Sequence, residues 1–328
     1  MARVRLVAVL VLTLVCLVWV LWGIKFDEAM AGVGRFRWGM LVPIWLTYLL
    51  AHALRAQRFR ILLPQPIDYA ASFSALTIGY LALHVFPFRL GELVRPYLVR
   101  EQRGVPLGDS LAAVVFERLL DVLMLLGMIL GTTWFVELPT PLEVGGMDVL
   151  GLARRGAAVL VIGGTLALAA VLAMGPGSLG FLERVPLGRP VRALFERFHA
   201  AVAALAARPA VALQAFLLSV AIWALTLVAV RLQLLASPGL PSGMDTALVT
   251  WTATLSGMTV LPTPGFFGGF EAACVTALQM LGATRELAAP FAIILHLTQF
   301  VFTVGLGVIF LLREGLDLRQ VVARSRSA

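Results

Sequence analysis

Six stretches of this chain are apolar over roughly the length that a helix needs to cross a bilayer, near residues 4–24, 37–56, 109–136, 153–174, 209–231 and 286–312. The hydrocarbon layer is about 30 Å thick, so about 20 mainly apolar residues span it. Composition agrees, with 60% hydrophobic and only 13% charged residues, beyond the roughly 45–50% apolar and about 25% charged of soluble domains. A soluble core has no use for that much apolar surface. The fold class expected is therefore an all-α polytopic membrane protein forming a single membrane domain. The first window follows Arg3 and Arg5, as a signal peptide would, but its apolar run is long and no small-residue cleavage site closes it. An uncleaved first helix is expected, and Val15 before Cys16 argues against a lipoprotein box.

The net charge of +8 is carried almost entirely by arginine. In a soluble chain this would raise nucleic acid as a partner, but here the basic residues fall between the apolar windows. Cytoplasmic loops carry the Lys and Arg excess. That rule places Arg3 and Arg5, then Arg55, Arg58 and Arg60, then Arg184 to Arg208, then Arg313 to Arg326 in the cytoplasm, with both termini inside a bacterial-type inner membrane. Glu137, Glu143 and Asp148 fall on the opposite side. Cys16 and Cys274 lie far apart, and His52, His84, His199 and His296 lack metal-ligand spacing, so neither a metal nor a cofactor is expected.

Two further apolar stretches are broken by Pro and Gly and followed by an acid. The first runs from Ile78 through Pro87, Arg89 and Gly91 to Glu92; the second runs from Leu255 through Pro262, Pro264, Gly265 and Gly268 to Glu271. Treating the first as a full span would put Arg89, Arg95, Arg100 and Arg103 outside, so re-entrant hairpins are expected. The order span, broken segment, span recurs in half-repeats at about 37–136 and 209–312. Three spans lie between the hairpins, an odd number, which predicts entry from opposite faces and an inverted repeat. Residues 186–207 read as an amphipathic cytoplasmic helix, either attracted to anionic headgroups or simply linking the halves.

Ionisable side chains within hydrocarbon are costly and mark cavities. Arg89, Glu92 and Arg95 share one helix face at three-residue steps, and a helix beginning near Pro87 points free amides at an anion. Arginine grips phosphate in a bidentate manner, so a lipid phosphate is a sensible ligand. Glu117 and Asp121 face one way, with Arg118 beside them; either Arg118 snorkels to headgroups, or the acids pair with Arg89 or Arg95 and close a polar network under the first hairpin. In the second half, Glu271 follows Gly265 and Gly268, either as part of a site that His296 and Gln299 join, with His296 a proton-relay candidate or a structural histidine, or as a hydrogen-bonded packing turn. Gly127 and Gly131 form a GxxxG pair, weak grounds for dimerisation. No HExxH, nucleophile elbow, Walker loop or dinucleotide fingerprint is present, so an enzyme is not expected.

The motifs Pro87-Phe88-Arg89-Leu90-Gly91-Glu92 with Arg95, Phe116-Glu117-Arg118 with Asp121, and Leu261-Pro262 through Gly268 to Glu271 resemble the flippase-like, lysylphosphatidylglycerol-synthase transmembrane-region family, which includes YbhN-like proteins. The resemblance spans about residues 70–312. It implies translocation of aminoacylated phosphatidylglycerol, prenyl-linked sugars or other lipids. No aminoacyltransferase domain follows residue 328, so lipid aminoacylation is not expected. The expected partner is a membrane lipid with an anionic headgroup, held by Arg89, Arg95 and Arg118, with Glu92, Asp121 and Glu271 pairing with them. The alternatives are a non-transporting partner of a lipid-modifying glycosyltransferase and an intramembrane lipid-phosphate enzyme.

Overall fold

A computed structural model describes residues 25–65, 67–85, 91–136, 143–144, 147–148, 207–260 and 264–317, with isolated positions elsewhere. Pro87, Arg89 and Pro262, most of the span at 4–24, the span at 153–174 and the amphipathic helix at 186–207 lie outside the described residues.

The fold is all-α, apart from a two-residue antiparallel ladder between Glu143–Val144 and Met147–Asp148. A short helix α1 (Phe26–Arg35) and a 3₁₀ turn (Trp38–Met40) lead into α2 (Leu41–Leu62). Then follow α3 (Tyr69–Val85), α4 (Gly91–Arg103) and α5 (Leu107–Phe135). The second half contains α6 (Pro209–Leu235), α7 (Met244–Val260), a 3₁₀ turn (Pro264–Phe266), α8 (Gly269–Met280) and α9 (Arg285–Arg313). The lengths repeat in order: α3, α4 and α5 have 17, 13 and 29 residues, and α7, α8 and α9 have 17, 12 and 29.

Among the described residues, three helical stretches are long and apolar enough to cross a membrane: Trp38–Leu62, Pro209–Leu235 and Arg285–Arg313. Their outward faces are apolar, with Leu46, Leu217, Val301 and Ile309 all exposed. Water would penalise such a surface, whereas lipid accepts it. The long helix α5 differs by carrying Asp109, Glu117, Arg118 and Asp121 along its first half.

Both broken segments fold as helical hairpins, and glycine sets their closeness. A Cβ at Gly91 would overlap the Leu83 backbone nitrogen and the Gly79 carbonyl oxygen, so only glycine lets α3 and α4 touch there. In the second hairpin, a Cβ at Gly257 would overlap the Ala273 side chain. Each half has its own apolar core. One gathers Phe59, Ile78, Val94, Leu98 and Val114, and the other gathers Trp251, Phe270, Leu278, Phe291 and Leu295. The halves interlock, because α2 packs on α6, α5 reaches α7 and α9 lies along α3. Gly307 of α9 meets α3 so closely that an added Cβ would strike Leu81 and the Thr77 carbonyl oxygen. Near the end of α3, the His84 ring and the Phe266 ring on the second hairpin sit edge to face, 5.9 Å apart. The two hairpins therefore meet at these residues.

Candidate functional site

Between the two halves lies a cavity of about 380 Å³ to which both hairpins contribute. Its polar wall includes Arg55 and His52 from α2, Tyr80 and His84 from α3, Glu92 from α4, Arg118 and Asp121 from α5, and His296 and Gln299 from α9. Trp223, Trp251, Phe266 and Phe270 supply an aromatic wall. This combination of apolar lining with a few convergent polar groups is the usual chemistry of a binding pocket.

Beneath the first hairpin is a buried ionic network centred on Arg58, which is 1% exposed. Its Nε lies 3.4 Å from Glu117 Oε1, and its Nη1 donates to Asp121 Oδ1 at 2.9 Å and to Ser219 Oγ at 2.8 Å. Arg95 contacts the other Glu117 oxygen, Oε2, at 2.5 Å, and its guanidinium lies 4.3 Å over the Phe59 ring. Asp121 also forms an ion pair with Arg118 Nη2 at 3.1 Å and accepts from the Trp223 indole N–H at 3.3 Å. Arg118 Nη1 is 4.0 Å from Glu92, completing a chain of charge from α2 through α5 to α4. Burying so many ions is tolerated only when each is paired and hydrogen-bonded. Arg55 differs in having a phenol as its partner, donating to the Tyr80 hydroxyl at 3.2 Å.

The second hairpin builds a separate cluster. Gly265 and Gly268 adopt φ of 59° and 85°, and between them Phe266 is held at φ 64°, a region that costs a side-chain-bearing residue energy. The turn leaves Gly268 as the N-cap of α8, and its amide N–H donates to Glu271 Oε2 at 2.7 Å. Glu271 Oε1 lies 2.6 Å from His296 Nδ1. On the other side of the ring, His296 Nε2 donates to the Gly265 carbonyl at 3.0 Å. Phe270 stacks on this imidazole at 4.4 Å, and Phe267 lies 4.5 Å away.

A family model described as the lysylphosphatidylglycerol synthase TM region matches residues 5–307. The chain belongs to that family. It is therefore an integral membrane protein. This family member is also 27% identical to a glycosyltransferase, AglD, of Haloferax volcanii. That match takes in 98% of the chain and 56% of the relative, so the chain spans little more than half the relative's length. No solved structure matches it.

Of the residues singled out by sequence, the structure of this lysylphosphatidylglycerol-synthase-type region brings Arg95, Glu117, Arg118, Asp121 and Glu92 into one network. It places Gly91 at the hairpin crossing. Glu271 pairs with His296 rather than with an arginine, and Gly265 and Gly268 supply the backbone partners of that pair. Arg89 and Pro262 lie outside the described residues.

Charge bias placed Arg58 in a cytoplasmic loop. Instead α2 runs on to Leu62, and Arg58 becomes the most enclosed cation of the network. A signal for this does exist in the sequence. Tyr48, His52, Arg55 and Arg58 recur at three- and four-residue steps, and such a polar stripe on an otherwise apolar helix marks a face turned toward protein or a cavity.

Proposed function

We propose that this protein carries an anionic lipid headgroup between leaflets through the cavity between its hairpins, while the acyl or prenyl chains stay in the bilayer. The charge balance of the cavity and its floor supports this reading. Arg55, Arg58, Arg95 and Arg118 face Glu92, Glu117 and Asp121, four formal positive charges against three negative. Arg55, the cation with a phenol for a partner, opens onto the cavity. One phosphate would neutralise the site, and arginine recognises phosphate through its planar donor fork. The aromatic wall would shield the headgroup from hydrocarbon on its way.

On this reading the hairpins enter from opposite faces of an inner membrane, with both termini cytoplasmic, and the protein is a carrier rather than a catalyst. Reconstitution of the purified chain into liposomes tests it. Fluorescent phosphatidylglycerol in the inner leaflet should become accessible to an external quencher faster than in protein-free vesicles, with its mass unchanged. Equal rates in the two would refute the proposal.

A second reading takes its support from the similarity to AglD. In it the chain is a non-transporting membrane partner of a lipid-modifying glycosyltransferase. The pure protein would then move no lipid alone, and lipid modification would rise when a glycosyltransferase is added.

A further inference from the structure

Glu271 and His296 are both almost wholly buried, at 2% and 3% exposure, and His296 lines the cavity. Their hydrogen bonds restrict the protons they hold. The Gly265 carbonyl only accepts, so the imidazole Nε2 facing it at 3.0 Å must carry a hydrogen. Nδ1 and Glu271 Oε1 then stand 2.6 Å apart. Two lone pairs repel at that separation, so a proton lies between them, whether it belongs to the imidazolium or to the carboxylic acid. Either way the pair is neutral overall, which suits its surroundings of Phe267 and Phe270.

We propose that Glu271 and His296 form a proton-binding site that latches the second hairpin to α9. With the proton bound, the pair ties the Gly265–Gly268 turn to α9 and holds Phe266 in its left-handed conformation against His84. When the proton leaves for cavity water, the carboxylate faces a bare Nδ1 lone pair and the contact separates. The turn is then free to relax, and the aromatic tip withdraws from the point where the hairpins meet. Other titratable or charged groups face this pair from the elements around it. His84 on α3 and Cys274 on α8 interact with it directly, and His52 and Arg55 on α2, Glu92 on α4 and the Arg118–Asp121 pair on α5 line the cavity that His296 shares, while α7 contributes the uncharged Trp251 and Thr254. A headgroup phosphate arriving near Arg118 would alter the field at the pair, linking substrate to proton. This last step rests on the proposed function; the latch does not.

Glu271→Gln separates the latch from a purely structural cap. Its amide oxygen would still accept from the Gly268 N–H and its amide N–H would donate to Nδ1, a permanent copy of the proton-loaded state. The test uses the full chain in lipid nanodiscs, with infrared difference spectra and tryptophan fluorescence recorded between about pH 5 and about pH 8, the window in which histidine ordinarily titrates. Wild type should show carboxyl and imidazole band changes together with a fluorescence change that Trp251→Phe removes. Glu271→Gln should lose both while unfolding at the wild-type temperature. Labelled-histidine nitrogen spectra of wild type need no variant to fold, and one imidazole should shift at Nδ1 while Nε2 stays protonated. The proposal is overturned if the variant retains the wild-type infrared change, or if no imidazole shifts in that way. A chain that titrates but moves no lipid defeats the proposed function and leaves the latch standing; the reverse result defeats the latch alone.

Discussion

Replacing Arg58 with alanine should destabilise the protein more than any other single arginine change in the network. Arg58 is 1% exposed and joins Glu117, Asp121 and Ser219 at 3.4, 2.9 and 2.8 Å. Without it, Glu117 keeps Arg95 and Asp121 keeps Arg118 and Trp223, so neither acid is abandoned, yet a buried negative excess remains. Removing one member of a buried ion pair costs about 3–5 kcal/mol, and the surviving partners should hold the cost near the lower end. Denaturant titration of the reconstituted protein measures this. A double-mutant cycle with Asp121→Asn isolates the pair, because side chains sharing a network couple by about 0.5–3 kcal/mol. The reasoning fails if Arg58→Ala costs less than about 1 kcal/mol, the scale of an ordinary hydrogen bond. It also fails if the two changes simply add.

Gly91→Ala should destabilise the first hairpin by about 1–3 kcal/mol, because the added methyl meets backbone that cannot rotate away. Gly257→Ala should cost a similar amount, since the Ala273 Cβ it would strike is fixed to its backbone; differential scanning of both variants measures this. Arg55→Ala should cost about 0.5–1.5 kcal/mol, the scale of the one hydrogen bond it donates to Tyr80, while lowering the preference for anionic over zwitterionic lipid in the liposome assay. Glu314→Ala removes the acceptor for Ser74 Oγ at 2.8 Å and Gln102 Nε2 at 3.4 Å, neither of which lines the cavity, so amide exchange in α4 should quicken while lipid translocation stays unchanged.

The hairpins were legible because their breakers act locally. Proline removes a donor, glycine permits φ of 59° at Gly265 and 85° at Gly268, and each interrupts an apolar run in a way that composition cannot hide. The approach of Arg95 to Glu117 was one of two readings of the sequence, since helix faces follow from spacing but the neighbour on the next helix does not. Arg58 was misplaced for a physical reason. Loop charge statistics treat an arginine near the end of an apolar run as lying at the surface, and only tertiary packing against α5 and α6 encloses it. The partner of Glu271 lay within reach of the sequence reading, which set His296 and Gln299 beside it. What spacing could not supply was the turn that points the Gly265 carbonyl at the far side of the ring.

On the proposed route a headgroup passes where the two hairpins meet, at the 5.9 Å contact of His84 with Phe266. The most direct measurement replaces both residues with cysteine, in a chain whose Cys16 and Cys274 are serine, and compares lipid translocation with the hairpins cross-linked and after the cross-link is reduced. The account predicts that cross-linked protein moves no lipid and that reduction restores movement. Undiminished translocation by fully cross-linked protein would contradict it.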